Sequence, residues 1–275
     1  MSRYVLITGC SSGIGYHAAK RLNDEGFAVI ASARKLEDVT RLQAEGLTAI
    51  RLDLADPVSI TEAVSQVREL CQGELYGLFN NGAYGQPGAL EDLPTAALRA
   101  QFESNFFGWH ELIRQILPLM LPHGEGRIIQ NSSVLGLVAM KYRGAYNASK
   151  FAIEGYTDTL RLELRGTGVQ ISLIEPGPIE SRFRANALAA LHQHIDLEHS
   201  RHAAIYQETL SRLSKVVPGN RFTLPPEACI KPLLHALTAR RARIRYQVTT
   251  PSKLLAKLRG WIPARWLDAL VAKQS

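Results

Sequence analysis

The sequence predicts an α/β chain whose parallel sheet is covered by helices on both faces. Short apolar segments rich in β-branched residues alternate with amphipathic stretches of helix length. The first turn between a strand and a helix is the glycine-rich "TGCSSGIG" of residues 8–15. Of the 275 residues 46% are apolar, and neither a repeat nor a low-complexity linker divides them, so one large core is expected.

The elements follow in order. "YVLI" (4–7) leads through the glycine loop into an amphipathic stretch from 14 to about 25. "AVIASA" (28–33) precedes a helix at 35–45, and "TAIRLDL" (48–54) precedes one at 57–71, where Pro57 suits the first helical turn. Asp56 is expected as its N-cap. "LYGLFN" (75–80) precedes a helix near 95–120, "GRIIQNSS" (126–133) a long helix near 145–165, and "VQISLIEPG" (169–177) closes the run. Residues 180–222 are polar, rich in His and Arg and without a strand pattern. "PPEACIKPLLHAL" then reads as a helix and "RIRYQV" as a last strand. The expected organisation is a catalytic domain over 1–248, with a lid at about 180–222, and a basic amphipathic segment over 249–275.

Composition narrows the function. Cys10, Cys71 and Cys229 are too few and too scattered for a disulfide framework, and no zinc-ligand spacing occurs. The start shows no signal-peptide pattern, and no apolar run has membrane-spanning length. These features point to a reducing compartment, the cytoplasm. The net charge of +7 is concentrated: residues 240–275 carry nine Lys/Arg and one Asp. The main domain is near neutral, which argues against nucleic acid as a partner.

The glycine loop opens a helix directly after a strand. Gly9 permits the tight turn, Gly13 lets the backbone approach a pyrophosphate, and Gly15 allows close helix–strand packing. The free N–H groups of the helix start suit an anion. At the end of the second strand an NAD site would usually place an acid on the ribose; here Ala33 is followed by Arg34, which suits a 2′-phosphate and so NADP(H). Further along, Tyr146 and Lys150 in "YNASK" stand four residues apart, on one face of the expected helix.

"TGCSSGIG", "NNGA" (80–83), "NSS" (131–133), "YNASK" (146–150) and "EPGPI" (175–179) occur in the order and spacing of the short-chain dehydrogenase/reductase family, which the chain resembles over roughly residues 3–250. The flanks look most like hydroxysteroid and retinol dehydrogenases and bacterial aldehyde reductases. The resemblance implies a single doubly wound, Rossmann-type domain of about seven parallel strands. It also implies NAD(P)-linked interconversion of carbonyls and alcohols, and a homodimer pairing through the helices that carry Asn105 and Tyr146.

By that resemblance Tyr146 is the acid/base and Lys150 supplies a charge that draws the phenol's pKa down toward the working range. Lys150 would also hold the nicotinamide ribose. Ser133 would hydrogen-bond the substrate oxygen, with Ser132 a packing neighbour. Asn105 would hold a water that relays protons to Lys150. Ser11, Ser12 and Ile14 join the three loop glycines around the cofactor. Asp53 would contact the adenine, and Arg34, Leu54 and Asn80 also belong to the expected cofactor site. Pro176, Gly177, Ile179 and Ser181 would also bind the cofactor, Ser181 offering its hydroxyl to the nicotinamide carboxamide. The chain departs from the family in reading Asn80-Asn81-Gly82-Ala83 where Ala-Gly is usual, and in Ser181 where Thr is common.

The expected substrate is a bulky apolar aldehyde or ketone, such as a retinoid, a steroid or a long-chain aldehyde. Its wall would be Leu135, Leu137, Val138, Met140 and Phe183. The rival readings are a non-catalytic NADP(H)-binding redox sensor or scaffold, and a lipid- or nucleic-acid-binding protein using the basic tail. His192, His194, His199 and His202 lack the companions of a metal site, and none is expected. Cys10 reads as a small packing residue. The stripe of Leu254, Leu255, Leu258 and Trp261, bordered by Lys253, Lys257 and Arg259, fits either a cap on the cleft or peripheral contact with an anionic membrane.

Overall fold

The computed structural model describes residues 3–214 and 222–272. Its strands are β1 (Tyr4–Ile7), β2 (Ala28–Ala33), β3 (Thr48–Arg51), β4 (Leu75–Asn80), β5 (Gly126–Asn131), β6 (Val169–Glu175) and β7 (Arg245–Gln247). All pair in parallel, in the order β3-β2-β1-β4-β5-β6-β7. The order reverses between β1 and β4, so the loops leaving those two strands part and leave a crevice at their carboxyl ends.

Side-chain alternation splits the core into two layers. Leu6, Leu78 and Ile128 pack on one face with α3 (Pro57–Leu70) and α5 (Gly108–Ile116). Val5, Ile7 and Phe79 pack on the other with α1 (Gly13–Asp24) and α9 (Ile230–Thr238). Both faces being covered, β4 and β5 are buried at every position. The Asp56 carboxylate accepts from the Val58 amide at 3.0 Å, capping α3 as its sequence predicts.

Two regions differ from expectation. The helix expected near 95–120 is α4 (Thr95–Phe102), a π-helical turn at Glu103–Phe107, and then α5. The strandless segment 180–222 contains α7 (Phe183–His194) and α8 (Ala203–Ser214), while its residues 215–221 lie outside the described residues. Beyond β7 come α10 (Thr250–Arg259) and α11 (Ala264–Ala272); residues 273–275 of the expected tail also lie outside the described residues. Among the described residues no helix is long and apolar enough to cross a membrane.

Candidate active site

The glycine loop is shaped by backbone packed on backbone. A Cβ on Gly9, where φ is +71°, would stand 2.6 Å from the Cα of Gly82. One on Gly15 would stand 2.4 Å from the Gly9 carbonyl oxygen. The loop after β4 braces this turn. Thr8 Oγ1 accepts from the amides of Asn81 and Gly82, both at 2.8 Å. Asn81 Nδ2 donates to the Thr8 carbonyl at 2.9 Å, and its Oδ1 accepts from Asn131 at 2.8 Å. The Gly82-Ala83 order fits this packing, since Gly82 faces Gly9 while Ala83 lies against the core.

Asn80 does not reach the crevice with its side chain: it is fully buried and donates to Gln130 across the sheet at 2.9 Å. Thr8, Asn81 and Asn131 hold the crevice's shape instead, and sequence reading passed over all three. Asn81 was visible as the second residue of "NNGA"; the partnership with Thr8 spans 73 positions and has no local signal.

The loop fits a dinucleotide pyrophosphate. Ser12 caps α1 with no side-chain hydrogen bond, leaving the helix start open. Ser11 lends its carbonyl to Arg41 at 2.8 Å and to Arg182 at 2.7 Å, so two further guanidinium groups stand beside the loop. Arg34 is exposed beyond the end of β2 and makes no ion pair among the described residues. Asp53 stands at the loop after β3, where its carboxylate accepts from Ala55 at 3.0 Å, and Leu54 lies against Gly82. Ile14 packs on the core from the first turn of α1. Cys10 donates to the Ile7 carbonyl, and burial pushes its thiol up to about 12, as befits a packing residue.

At the other end of the crevice Pro176 accepts from the Val134 amide at 2.8 Å. Gly177 packs so tightly on Thr249 that a Cβ would come within 2.2 Å of its hydroxyl. Ile179 bridges to Leu224. Ser181 lies against Gly13 and accepts from the Phe183 amide at 3.3 Å, holding the start of α7.

Tyr146 and Lys150 share a face of α6 (Gly144–Glu163), with the ammonium 5.6 Å from the phenol ring centroid. Lys150 is fully buried, donates to the Asn131 carbonyl at 2.7 Å and sits 4.5 Å over the Trp109 ring. Burial pulls its pKa down to about 7, which Glu154, one turn further along α6, partly opposes. The Tyr146 phenol moves opposite to expectation. Burial pushes it up to about 12, and what opposes burial is a hydrogen bond from Ser133 and the charge of Arg143. The same burial weakens the Lys150 charge, and the Arg143 guanidinium also favours the phenolate.

Ser133 leaves the end of β5 in extended conformation, and its hydroxyl also accepts from the Leu135 amide at 3.1 Å. Asn105 lies in the π-helical turn and is fully buried. Its side chain grips the Tyr84 backbone, donating to the carbonyl at 2.9 Å and accepting from the amide at 3.2 Å. π-helical turns recur at functional sites because they expel one backbone carbonyl from the helical ladder.

The apolar wall beside Tyr146 is made of Val134, Leu135, Val138 and Met140, closed from outside by Leu255, Leu267, Leu270 and Val271 of α10 and α11. The Phe183 ring meets Tyr146 edge-on at 5.3 Å. The expected leucine stripe is thus divided. Leu255 is buried on the wall, while Leu254 and Trp261 face solvent. In the lid, His199 bonds to Asp196 and His202 to Glu91; no cluster fit for a metal occurs among the described residues.

Residues 3–191 match the family model described as short chain dehydrogenase. The chain belongs to the short-chain dehydrogenase family. It is 42% identical over 273 residues to the uncharacterized oxidoreductase YbbO of Escherichia coli K12, covering 98% of this chain and 94% of that one. It is 31% identical to an NADPH-dependent 3-dehydrocapnine reductase of Ornithobacterium rhinotracheale, over 98% and 96% of the two chains. Human retinol dehydrogenase 8 is 38% identical over 68% of this chain and 62% of its own. A short-chain dehydrogenase/reductase of Burkholderia phymatum, solved in complex with NAD, shares the fold with a TM-score of 0.79 at 24% identity, over 98% and 95% of the chains. As a member of this family, the protein is an oxidoreductase.

Proposed function

We propose that this oxidoreductase interconverts a bulky, largely apolar aldehyde or ketone with its alcohol, using NADP(H). The observation that carries the reading is the Tyr146 phenol, standing at an apolar wall on the face of α6 it shares with Lys150, with Ser133 favouring its phenolate. When bound, the nicotinamide supplies the hydride for reduction. A phenol whose pKa lies near 12 is fully protonated at neutral pH, so Tyr146 is set to donate its proton to the emerging alkoxide oxygen. The Ser133 hydroxyl steadies that oxygen, and the Arg143 charge favours the phenolate left behind. Lys150, held by Asn131, stands to orient the cofactor ribose and, being near half-protonated at neutral pH, to return a proton.

NADP(H) preference is supported by the uncompensated Arg34 and by the NADPH dependence named for the Ornithobacterium relative. The apolar substrate is supported by the wall and by the relative named for retinol. A panel of aldehydes and ketones assayed with NADPH and with NADH tests both. Removing a charge-assisted hydrogen bond in Arg34→Ala is expected to shrink the ratio of the two kcat/KM values by roughly ten- to a hundredfold. An unchanged ratio moves the phosphate contact elsewhere, and no turnover of any carbonyl favours the sensor or scaffold.

Peripheral contact with an anionic membrane belongs to the same reading. Trp261 and Trp266 are 88% and 72% exposed on the hairpin of α10 and α11, beside Lys253, Lys257 and Arg265, which make no ion pair among the described residues. Arg240, Arg241 and Arg243 precede β7 whereas α10 follows it, so they stand at the other end of that strand. Sedimentation with anionic vesicles at low salt should carry the protein down; protein left in the supernatant removes the contact.

A further inference from the structure

Three arginines stand on neighbouring elements beside Tyr146, and the proposed reaction uses only the field of one. Arg143 caps the start of α6, three residues before Tyr146. Arg184 lies in the first turn of α7, next to the Phe183 whose ring touches Tyr146. Arg212 lies in the last turn of α8, which packs on α7. The backbone holds the group together. Arg143 bridges to Gly88, whose amide donates to the Tyr142 carbonyl at 3.0 Å. The Tyr142 ring meets Tyr206 of α8 edge-on at 6.4 Å.

None of the three has an acidic partner or a side-chain hydrogen bond among the described residues. Glu208, one turn before Arg212, makes no ion pair with it. Other arginines without an acidic partner, such as Arg34, Arg51, Arg99 and Arg265, stand exposed in solvent, where water serves the charge. Arg143 is only partly exposed, and burial together with Arg212 and Arg184 pulls its pKa down to about 10, so it remains charged at neutral pH. Burying an unpaired guanidinium among like charges destabilises a fold. Such a group fits a site completed by an anion that the protein does not itself provide.

We infer that Arg143, Arg184 and Arg212 form a site for an anionic group, phosphate or carboxylate, carried by the substrate at the same end as its reacting carbonyl. The inference rests on the proposed carbonyl reaction and refines its substrate. The apolar wall takes the chain, and the arginines take a charged head. Arg143 lies within three residues of Tyr146, so the head and the carbonyl belong to one end of the molecule. Planar forked donors suit the oxygens of either anion, which is why phosphate and carboxylate share the site.

A matched pair of substrates tests it: a long-chain 1-hydroxy-2-ketone and its phosphate monoester, each reduced with NADPH. The phosphate ester is expected to have the higher kcat/KM, by about ten- to a hundredfold. That preference should fall toward unity in Arg143→Met and in Arg184→Met, and recover in part in Arg143→Lys. Taking the ratio of two substrates removes any general loss of activity or folding. Equal rates on the pair, or a ratio unmoved by either variant, overturn the inference. Titration calorimetry with dodecyl phosphate and with inorganic phosphate separates the head-group reading from the reaction. Neither ketone turning over, while dodecyl phosphate binds wild type and fails to bind the Arg143→Met, Arg184→Met double variant, keeps the anion site and removes the carbonyl chemistry. Dodecyl phosphate binding the double variant as tightly as wild type removes the site. Inorganic phosphate binding as tightly as dodecyl phosphate also overturns the inference, because the site would then serve free phosphate.

Discussion

The two ends of the crevice are built differently. Around the glycine loop backbone packs on backbone, Gly9 against Gly82 and Gly15 against the Gly9 carbonyl, and the side chains of Thr8 and Asn81 lock one loop to the backbone of the other. Around Tyr146 the contacts are side chain on side chain: Phe183 on the phenol ring, Leu255 and Val271 on the wall, three arginines at the rim. A backbone contact tolerates no added carbon, whereas a side-chain contact can be rebuilt with another residue of similar size. A substitution in the glycine loop is therefore expected to move backbone, and one around Tyr146 to be met by local repacking.

Substitutions at each end sharpen that contrast. The largest effect is expected at the reaction centre. Tyr146→Phe keeps the ring that packs on Phe183 and removes the proton, so turnover should fall by a factor on the order of 10²–10⁴ while NADPH affinity is preserved. Fluorescence titration beside steady-state rates checks both; near-wild-type turnover would show that another group is the acid.

A smaller, opposite pattern is expected at the glycine loop. Gly15→Ala places a methyl 2.4 Å from the Gly9 carbonyl oxygen, and the loop must yield. Overpacking of this kind costs about 1–3 kcal/mol, so NADPH should bind roughly ten- to a hundredfold more weakly while kcat at saturating cofactor changes little. Unchanged affinity would mean that the loop is not the pyrophosphate cradle.

The mildest effect is on stability. The fold disfavours the charged form of Lys150, whose pKa lies near 7 against an ordinary 10.5. That penalty is complete below about pH 7 and fades as pH rises toward 10.5, where folded and unfolded chains both carry it neutral. Lys150→Met should therefore be inactive yet melt higher than wild type near pH 6, with the gap narrowing by about pH 9. A gap that widens with pH would mean that the buried ammonium stabilises the fold.

Much of this was legible in the residues. The parallel sheet, the glycine loop, the Asp56 cap and the Tyr146–Lys150 face follow from periodicity, propensity and spacing, which act over one turn or one strand. The direction of the Asn80 side chain was not legible, because at the end of a strand it depends on the neighbouring strand, here on Gln130. The leucine stripe of α10 was ambiguous because a stripe does not say what it packs on; the fold put Leu255 on the wall and left Leu254 in solvent.

By itself the sequence determined the alternation of strands and helices, the backbone freedom at the glycine loop and the types of the reacting side chains. Each of these is encoded by residues close together in the chain. The tertiary structure alone decided the electrostatics. Tyr146 is driven up and Lys150 down because both are buried, and burial is a property of the assembled core. It also decided that Arg143, Arg184 and Arg212, spread over 70 positions, come close enough for the last two to act on the charge of the first. Charge acts through space, and only folding sets those distances.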